Sequence, residues 1–348
     1  MMERKGSLWL PLLLADPSPC LRQLVLRDLL HRADNDPEVR ELDALSESEP
    51  LITSLCASQR DDGSWVGRDL EATSDTIRTT ALALARLGYM GCGSEHDAVR
   101  QGAAYLYTQQ QPDGSWMLPS GREVSTEHEG YSMMPLQTAL PLRGLAMCGY
   151  AEDPRSENAY EWLLAQRLED GAWPTGVASG VYGYVAGYRR LAHSRWGCRS
   201  NTTGALVCLA HHSQRCRKAP ARRALDLLLG RETRERHALG YEIARLVGAE
   251  PTRGFLTFYA RFDSGLLLDL CWRVGASTQD DRVADLVSFV REAQGPYGLW
   301  EYAPRPQVSR WVTFDMLRSL SRLDRETDWV ALEPRTPFQP YPSRHRRY

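Results

Sequence analysis

Helices with one polar face alternate along this chain with helices that are apolar nearly all round. The first kind includes "DAVRQGAAYLYTQQ" (97–110) and "DRVADLVSFVREAQ" (281–294), whose apolar residues recur at helical spacing. The second kind includes "SDTIRTTALALARLGYM" (74–90) and "SRWVTFDMLRSLSRL" (309–323). A helix with one apolar face packs against a core from outside, whereas a helix that is apolar all round must be buried. The pattern therefore predicts pairs, each made of an outer and an inner helix.

Most of the outer helices end in a short segment that contains Gln, then Gly, and then Trp two residues after the Gly. The copies are "QRDDGSW" (59–65), "QQPDGSW" (110–116), "QRLEDGAW" (166–173) and the looser "QGPYGLW" (294–300). Glycine permits the positive φ of a sharp helix end, so we expect that conformation at Gly63, Gly114, Gly171 and Gly298. The Trp can then fold back over the helix end, where the Gln can bond exposed backbone groups. These Gln–Gly–Trp segments are predicted to join outer helices to inner ones.

Six inner helices fit into the chain. A pair without the segment is supplied by "APARRALDLLLGRE" (219–232) and "YARFDSGLLLDLCWRVG" (259–275), and a first inner helix by "PSPCLRQLVLRDLL" (17–30). The inner helices are predicted to begin near Ser18, Ser74, Glu127, Cys198, Arg261 and Ser309. Inner helices this apolar favour a closed (α/α)6 toroid over an open solenoid. We therefore predict an all-α, single toroid domain over residues 8–330, followed by a Pro- and Arg-rich tail over residues 331–348.

Composition restricts the partners and the compartment. The chain has 348 residues, 43% of them apolar and 25% charged, with a net charge of −2, which favours neither nucleic acid nor an anionic membrane as a partner. Eight cysteines without regular spacing do not form a disulfide framework, so a reducing cytoplasm is expected. No stretch approaches the roughly 20 apolar residues of a membrane span. The apolar run near the start is short and broken by Pro11, so it is predicted to be a packed element rather than a signal peptide.

The repeated segments and helix pairs resemble those of the terpenoid cyclase and protein prenyltransferase superfamily, whose members carry Gln–Trp repeats on an (α/α)6 barrel. The resemblance covers residues 10–325. Within the superfamily the chain is most similar to bacterial single-toroid proteins that are described as squalene-cyclase-like or prenyltransferase-like. They share openings like "DPSPCLRQLVLRDLL" and a last helix like "SRWVTFDMLRSL". The resemblance implies an isoprenoid ligand, either a prenyl diphosphate or a polyprene, in a central cavity, but the fold by itself supplies no reaction.

The chain departs from both well-understood branches of that superfamily. Class II terpene cyclases resemble it but use an Asp-x-Asp-Asp motif, whereas the comparable stretch "ATSDTIRTTALAL" (72–84) has only one carboxylate, Asp75. Without the neighbouring acids, the arrangement that holds a strongly acidic proton is lost. Zinc-dependent prenyltransferases use Asp-x-Cys and His on successive inner helices, and this pattern is missing from the sequence.

Four arginines lie close to the predicted starts of inner helices, where the backbone N–H groups face the centre of the ring. They are Arg78, Arg199, Arg261 and Arg310. Because arginine is a poor partner for the positive end of a helix dipole, their placement suggests a clamp for a diphosphate or carboxylate. The alternative is that each arginine pairs with an acid of a neighbouring helix, at Asp75, Glu127, Glu129 or Asp263.

Candidate acids and aromatic residues lie beside the same helix starts. Asp75 and Asp263 are the candidates to protonate an alkene, although N-capping or pairing with arginine is the favoured explanation of both. Tyr131, Phe262 and Trp311 are candidates to line an apolar tunnel and to stabilise a carbocation. Their alternative role is that of ordinary core aromatics.

Two patterns raise the question of a metal cofactor. His128, Cys198 and Asp263 open three consecutive inner helices and have side chains that can bind Zn²⁺, but not at the spacing of the zinc prenyltransferases. The stretch "DDRVAD" (280–285) resembles the Asp-rich Mg²⁺ motif of class I terpene synthases, but it opens an outer helix that faces solvent. Neither metal is assigned, and both are left open. Elsewhere, "CLAHH" (208–212) is interpreted as a core Cys208 beside exposed histidines.

Three functions are consistent with these features. The first is an isoprenoid-binding enzyme that resembles a terpene cyclase or a prenyltransferase and acts in the central cavity. The second is a non-catalytic toroid that binds a lipid or a partner protein through the same cavity or through the tail. The third, a carbohydrate-active (α/α)6 enzyme, is disfavoured because the helix starts lack a pair of catalytic carboxylates.

Overall fold

The computed structural model describes residues 8–66, 76–116, 134–178, 181–185, 187–230, 238–251, 258–323 and 327–333, which are predominantly α-helical. Its helices are α1 (Trp9–Leu14), α2 (Pro19–Leu24), α3 (Pro37–Ser46), α4 (Pro50–Ser58), α5 (Thr76–Tyr89), α6 (Asp97–Thr108), α7 (Pro135–Met147), α8 (Pro154–Ala165), α9 (Arg199–Ala210), α10 (Ala219–Leu229), α11 (Tyr241–Leu246), α12 (Ser264–Val274), α13 (Asp281–Glu292) and α14 (Ser309–Arg322). A π-helical turn (Val25–Leu29) continues α2, and 3-10 turns lie at Gly187–Arg189 and Pro306–Val308. The strands β1 (Val177–Ala178) and β2 (Val181–Tyr182) form one short antiparallel pair.

The inner helices α2, α5, α7, α9, α12 and α14 form a ring. From α5 to α14 each contacts the next in chain order, and α14 contacts the π-helical turn that continues α2. All twelve residues of α9 are buried, as expected for a helix with protein on every side. One central cavity is lined by residues from all six inner helices, so the ring encloses a common space. The predicted all-α toroid is therefore confirmed for the part of the chain that the structure describes.

The predicted starts of the inner helices agree closely with the structure where it describes them. Ser18 caps α2 and accepts a hydrogen bond from the Leu21 N–H at 3.2 Å. Helices α5, α9 and α14 begin at or within two residues of the predicted positions. Helix α12 begins three residues after Arg261, because Asp263 is its N-cap. The predicted start at Glu127 lies outside the described residues, and α7 is described from Pro135 onward.

Each of the four repeated tryptophans links its own outer helix to the following inner helix. The indole N–H donates to a carbonyl of the outer helix, and the Trp backbone N–H donates to a threonine hydroxyl of the inner helix. The sets are Trp65 with Leu55 and Thr80, Trp116 with Leu106 and Thr138, Trp173 with Leu163 and Thr202, and Trp300 with Val290 and Thr313. The threonine partner was not anticipated from the sequence, although a threonine lies near the start of each inner helix concerned.

The glycine and glutamine of the segments complete this joint. The four glycines have φ angles of 83°, 91°, 96° and 77°, which confirms the predicted left-handed conformation. The Gln110 side chain donates to the Gly114 carbonyl at 2.9 Å and also to the Arg155 carbonyl at 2.8 Å. Because Arg155 belongs to the next outer helix, α8, glutamine joins successive outer helices as well as closing its own turn.

The two ends of the described chain pack against the body of the toroid. Leu13 of α1 is fully buried, and α1 contacts α14. At the other end, the backbone N–H groups of Leu332 and Glu333 donate to the buried Asp226 of α10. The rest of the predicted tail, residues 334–348, lies outside the described residues. No helix in the described part of the chain is long and apolar enough to cross a membrane.

Replacing Gly114 with alanine should lower the free energy of unfolding by about 3 kcal/mol. The φ angle at Gly114 is +91°, and an added Cβ would lie 2.4 Å from the Asn158 carbonyl oxygen. The control is Gly93→Ala, where no heavy atom lies within 4 Å of the added Cβ and φ is not left-handed. Its expected change is below about 0.5 kcal/mol. Urea unfolding followed by tryptophan fluorescence measures both, and equal losses would contradict this account of the joint.

Candidate functional site

Helix α11 lies in the described part of the connection between α10 and α12 and packs inside the ring near the start of α12. It contacts α5, α12 and α14. Asp263 fixes this arrangement, since its carboxylate accepts from the N–H groups of Gly240 at 3.0 Å, Glu242 at 2.7 Å and Gly265 at 2.9 Å. It thereby caps α11 and α12 together.

A buried cluster of charges holds α11 in place. Glu242 of α11 pairs with both Arg143 of α7 and Arg245 of α11, and the three residues are only 2–4% exposed. Arg143 Nη1 donates to the Tyr259 hydroxyl at 2.7 Å, and Arg245 Nη1 donates to the Phe258 carbonyl at 2.7 Å. Burial lowers the pKa of Arg245 to about 10, so it remains charged at neutral pH. One carboxylate therefore serves two guanidinium groups in the centre of the molecule.

The central cavity has a volume of about 210 Å³. Several of its lining residues lie in the last two turns of inner helices or just beyond them. They are Gly88, Tyr89, Met147, His211, Arg273 and Arg318. Gly91, which also lines the cavity, is exposed. The cavity thus extends toward the C-terminal ends of the inner helices, whereas the predicted arginine clamp was placed at their starts.

Two buried aspartates and two arginines form the polar side of the cavity. Arg273 Nε donates to Asp269 at 2.7 Å, while Arg318 pairs with Asp315 and lies 3.7 Å from Asp269. Burial raises the pKa of Asp315 to about 6; Arg318 opposes this rise and Asp269 adds to it. Burial also disfavours ionised Asp269, but Arg273 and Arg318 outweigh it and lower the pKa of that residue to about 2. The pKa values of the two carboxyls therefore differ widely, so Asp269 is ionised at neutral pH whereas Asp315 takes up a proton near pH 6.

Tyr89 and His211 complete the polar lining in uncharged form. Burial raises the pKa of the Tyr89 hydroxyl well above its usual value, and this hydroxyl has no hydrogen-bond partner among the described residues. Burial lowers the pKa of His211 to about 3, and its Nδ1 lies 2.8 Å from the Val207 carbonyl, so it is a neutral donor there. The interpretation of exposed histidines was wrong, because His211 lines the cavity and His212 is only 2% exposed.

The predicted arginines do not meet in one place. Arg199 and Arg261 line a second cavity of about 20 Å³, space for a single water molecule, together with Phe262 and Asp263. The Arg199 guanidinium lies 5.7 Å from the centre of the Phe262 ring. Burial raises the pKa of Asp263 to about 6, although backbone N–H groups bond its carboxylate.

The remaining predicted residues are distributed around the ring. Arg310 pairs with Asp16 at 3.1 Å, which is a different acid from those considered in the sequence. Arg78 is buried in α5. Trp311 is buried and packs against Tyr89, with ring centres 5.7 Å apart. Asp75 and Tyr131 lie outside the described residues.

The described members of the predicted zinc set do not fit a metal. The Cys198 sulfur accepts a hydrogen bond from Arg189 Nη1 at 3.4 Å, and the Asp263 oxygens are occupied by backbone N–H groups. His128 lies outside the described residues. Across the ranges that the structure covers, no group of three or more His, Cys, Asp or Glu side chains is placed to hold a metal ion.

The polar residues that line the cavity were not predicted from the sequence, although two of them stand out in it. Asp269 interrupts "LLLDLCWR" (266–273) and Asp315 interrupts "TFDMLRS" (313–319), both within apolar inner helices. A charged residue in such a position must be paired inside the protein. Helix α11 gives a weaker signal, because "GYEIARLVG" (240–248) is too short for a periodic pattern to distinguish it from a loop.

Comparison with known proteins relates the chain to cyclases. Residues 40–187 match the family model of the squalene-hopene cyclase C-terminal domain. The squalene–hopene cyclase of Zymomonas mobilis is 30% identical over 148 residues, which are 42% of this chain and 21% of that protein. The lanosterol synthase of Candida albicans is 28% identical over 125 residues, 35% of this chain and 17% of that protein. The chain thus spans about a fifth of the length of these curated relatives.

Solved structures give a more distant likeness. The type II terpene cyclase MstE from Scytonema is 14% identical, and the match covers 78% of this chain and 95% of that one with a TM-score of 0.34.

Replacing Glu242 with glutamine should lower the free energy of unfolding by about 4 kcal/mol, because two buried guanidinium groups would lose their shared carboxylate. The matched control is Glu41→Gln at an exposed position of α3, with an expected change below about 0.5 kcal/mol. Chemical denaturation measures both variants. A loss no larger than that of the control would show that the cluster does not anchor α11.

Proposed function

Because the chain belongs to the terpenoid cyclase-like superfamily, we propose that it binds an isoprenoid in the central cavity and acts there as a cyclase-like enzyme. The observation that supports this most is a buried carboxyl, Asp315, in a cavity that six inner helices surround. Its raised pKa of about 6 allows it to hold a proton close to neutral pH. The relatives named squalene–hopene cyclase and lanosterol synthase support the choice of isoprenoid as ligand class.

The volume of the cavity limits the size of the ligand. For comparison, an engineered cavity of about 150 Å³ binds one benzene molecule. At about 210 Å³, the central cavity has room for roughly ten heavy atoms. This favours a prenyl compound of two isoprene units over a polyprene.

The proposed reaction begins with a proton transfer from Asp315. Its O–H bond breaks, the electron pair of an alkene forms a C–H bond, and a carbocation remains on the neighbouring carbon. A second alkene of the same chain then closes a ring by forming a C–C bond to that carbon. Loss of a proton from a carbon adjacent to the resulting cation returns the proton to Asp315. The product is an isomer of the substrate, so no oxidant or reductant is required.

The cavity offers groups that stabilise the positive charge of such an intermediate. The Tyr89 ring lines it and is backed by Trp311, and an aromatic face attracts a cation. The carboxylate of Asp269 lies on the same wall and is ionised. Preorganised charge in a site removed from water is the most effective form of such stabilisation.

We assign the proton donor to Asp315 rather than to Asp263. Both carboxyls are buried and have a raised pKa of about 6. Asp263, however, accepts hydrogen bonds from three backbone N–H groups and borders a cavity of only about 20 Å³, too small for a prenyl chain.

A second candidate function is a toroid that binds such a ligand without converting it. The occupied interior favours this candidate, because α11 and the cluster of Arg143, Glu242 and Arg245 fill space that a larger substrate would need.

Incubation of the full chain with geraniol should yield cyclic isomers that gas chromatography with mass spectrometry detects. Asp315→Asn removes the proton donor and should lower kcat at least about 100-fold, with KM changed less than about threefold. Asp97→Asn, an exposed position on α6, is the control and should leave both constants unchanged. Binding without any product would support the non-catalytic candidate instead.

The rate should depend on pH with a defined sign. Asp315 acts in its protonated form, which is present below its pKa of about 6 and is lost as the pH rises through that value. We therefore expect kcat for geraniol to be level below about pH 6 and to fall about tenfold per pH unit above it. A profile that rises with pH would contradict the assignment of Asp315 as the acid.

A further inference from the structure

We propose that the central cavity selects an electrically neutral prenyl compound with one oxygen-containing group, such as a prenyl alcohol, and rejects an anionic compound of similar size, such as the corresponding carboxylate. This inference rests on the proposed function, since it names the ligand class of the same cavity. It is carried by the balance of charges around the cavity and by one buried hydroxyl.

The lining contains three arginines and three acids, and each arginine contacts an acid. The pairs are Arg143 with Glu242, Arg273 with Asp269, and Arg318 with Asp315. The members of the pairs lie within hydrogen-bond reach of one another, and Asp315 is ionised above a pH of about 6, so above that pH their charges are largely offset before any ligand binds. Each guanidinium group of the described lining thus already has a carboxylate partner, although the Nε groups of Arg143 and Arg318 have no hydrogen-bond partner among the described residues.

The charged groups behind the lining are balanced in the same way. Arg245 shares Glu242 with Arg143 and also interacts electrostatically with Asp263. Arg322 pairs with Asp28 at 3.0 Å. His211 adds no charge, because its pKa of about 3 keeps it neutral. A prenyl carboxylate in this cavity would therefore be a buried, uncompensated anion, which is strongly disfavoured.

Tyr89 provides the contact that a neutral oxygen needs. It lines the cavity and is buried, yet its hydroxyl has no hydrogen-bond partner within the described ranges. An unsatisfied buried hydroxyl is unfavourable, and a ligand hydroxyl beside it would remove that cost. The pKa of Tyr89 is raised, so the hydroxyl is neutral and able to donate.

The remaining lining suits a hydrocarbon chain. Leu24, Val207, Ile243, Leu246 and Leu266 line the cavity with aliphatic side chains. Contact with such surfaces favours the prenyl part of the ligand. The described lining therefore combines an apolar wall with paired charges and with the unsatisfied neutral hydroxyl of Tyr89.

Binding of three ligands to the full chain at about pH 7.5 tests the inference, with tryptophan fluorescence as the readout because Trp311 packs against Tyr89. Geraniol should bind at least about tenfold more tightly than myrcene, which lacks the oxygen, and than geranate, the carboxylate of nearly the same size. Equal binding of geraniol and myrcene, or tighter binding of geranate, would overturn the inference and leave the proposed function standing. Failure of all three ligands to bind would overturn both.

Paired variants separate the charge from the hydroxyl. Asp315→Asn removes one negative charge beside Arg318 and should raise the affinity for geranate at least about tenfold, whereas Asp97→Asn, with the same change in net charge, should not. Asp269→Asn is the second charge variant and should act in the same direction. An unchanged affinity for geranate in both cavity variants would overturn the argument from charge.

Tyr89→Phe should abolish the difference between geraniol and myrcene. The matched control is Tyr107→Phe, which removes a hydroxyl that lies 2.8 Å from Ser156 Oγ on α8 and should keep the difference. Retention of the full preference for geraniol in Tyr89→Phe would show that the tyrosine does not contact the ligand oxygen.

Discussion

A guanidinium group that is removed from water must be matched by a carboxylate, and this requirement governs the interior of the ring. Glu242 meets it for Arg143 and Arg245 together, and so fixes α11 against α7 in the middle of the molecule. Because α11 is held there, this helix occupies part of the enclosed space. The position and size of the central cavity follow from that placement.

The same requirement explains why the cavity is polar without being charged. Asp269 lies on α12 and Asp315 on α14, and each contacts Arg318, which also belongs to α14. Because both carboxyls lie beside the same arginine, ionisation of one disfavours ionisation of the other, and their pKa values differ. The ion pairs and the difference in pKa between the two carboxyls thus both result from placing a few charged groups in a low-dielectric interior.

The fold was predictable because its signals are local. Gly114, two residues before Trp116, has the expected positive φ. Ser18 and Asp263 cap inner helices close to the expected positions. Helix α11 was not predictable, because a six-residue helix has little stability of its own and depends on tertiary contacts. The partner of Arg310 was equally hidden, since Asp16 is 294 residues away in the chain.

The pairing of Arg310 with Asp16 also has a kinetic meaning. The joints at the four tryptophans connect neighbouring helices and close short loops, so they can form early and independently. The contacts of α14 with Asp16 and Asp28 bring together the most distant parts of the sequence, with the largest entropic cost of loop closure. We expect ring closure to be the last and slowest event of folding, and the moment at which an enclosed interior first exists.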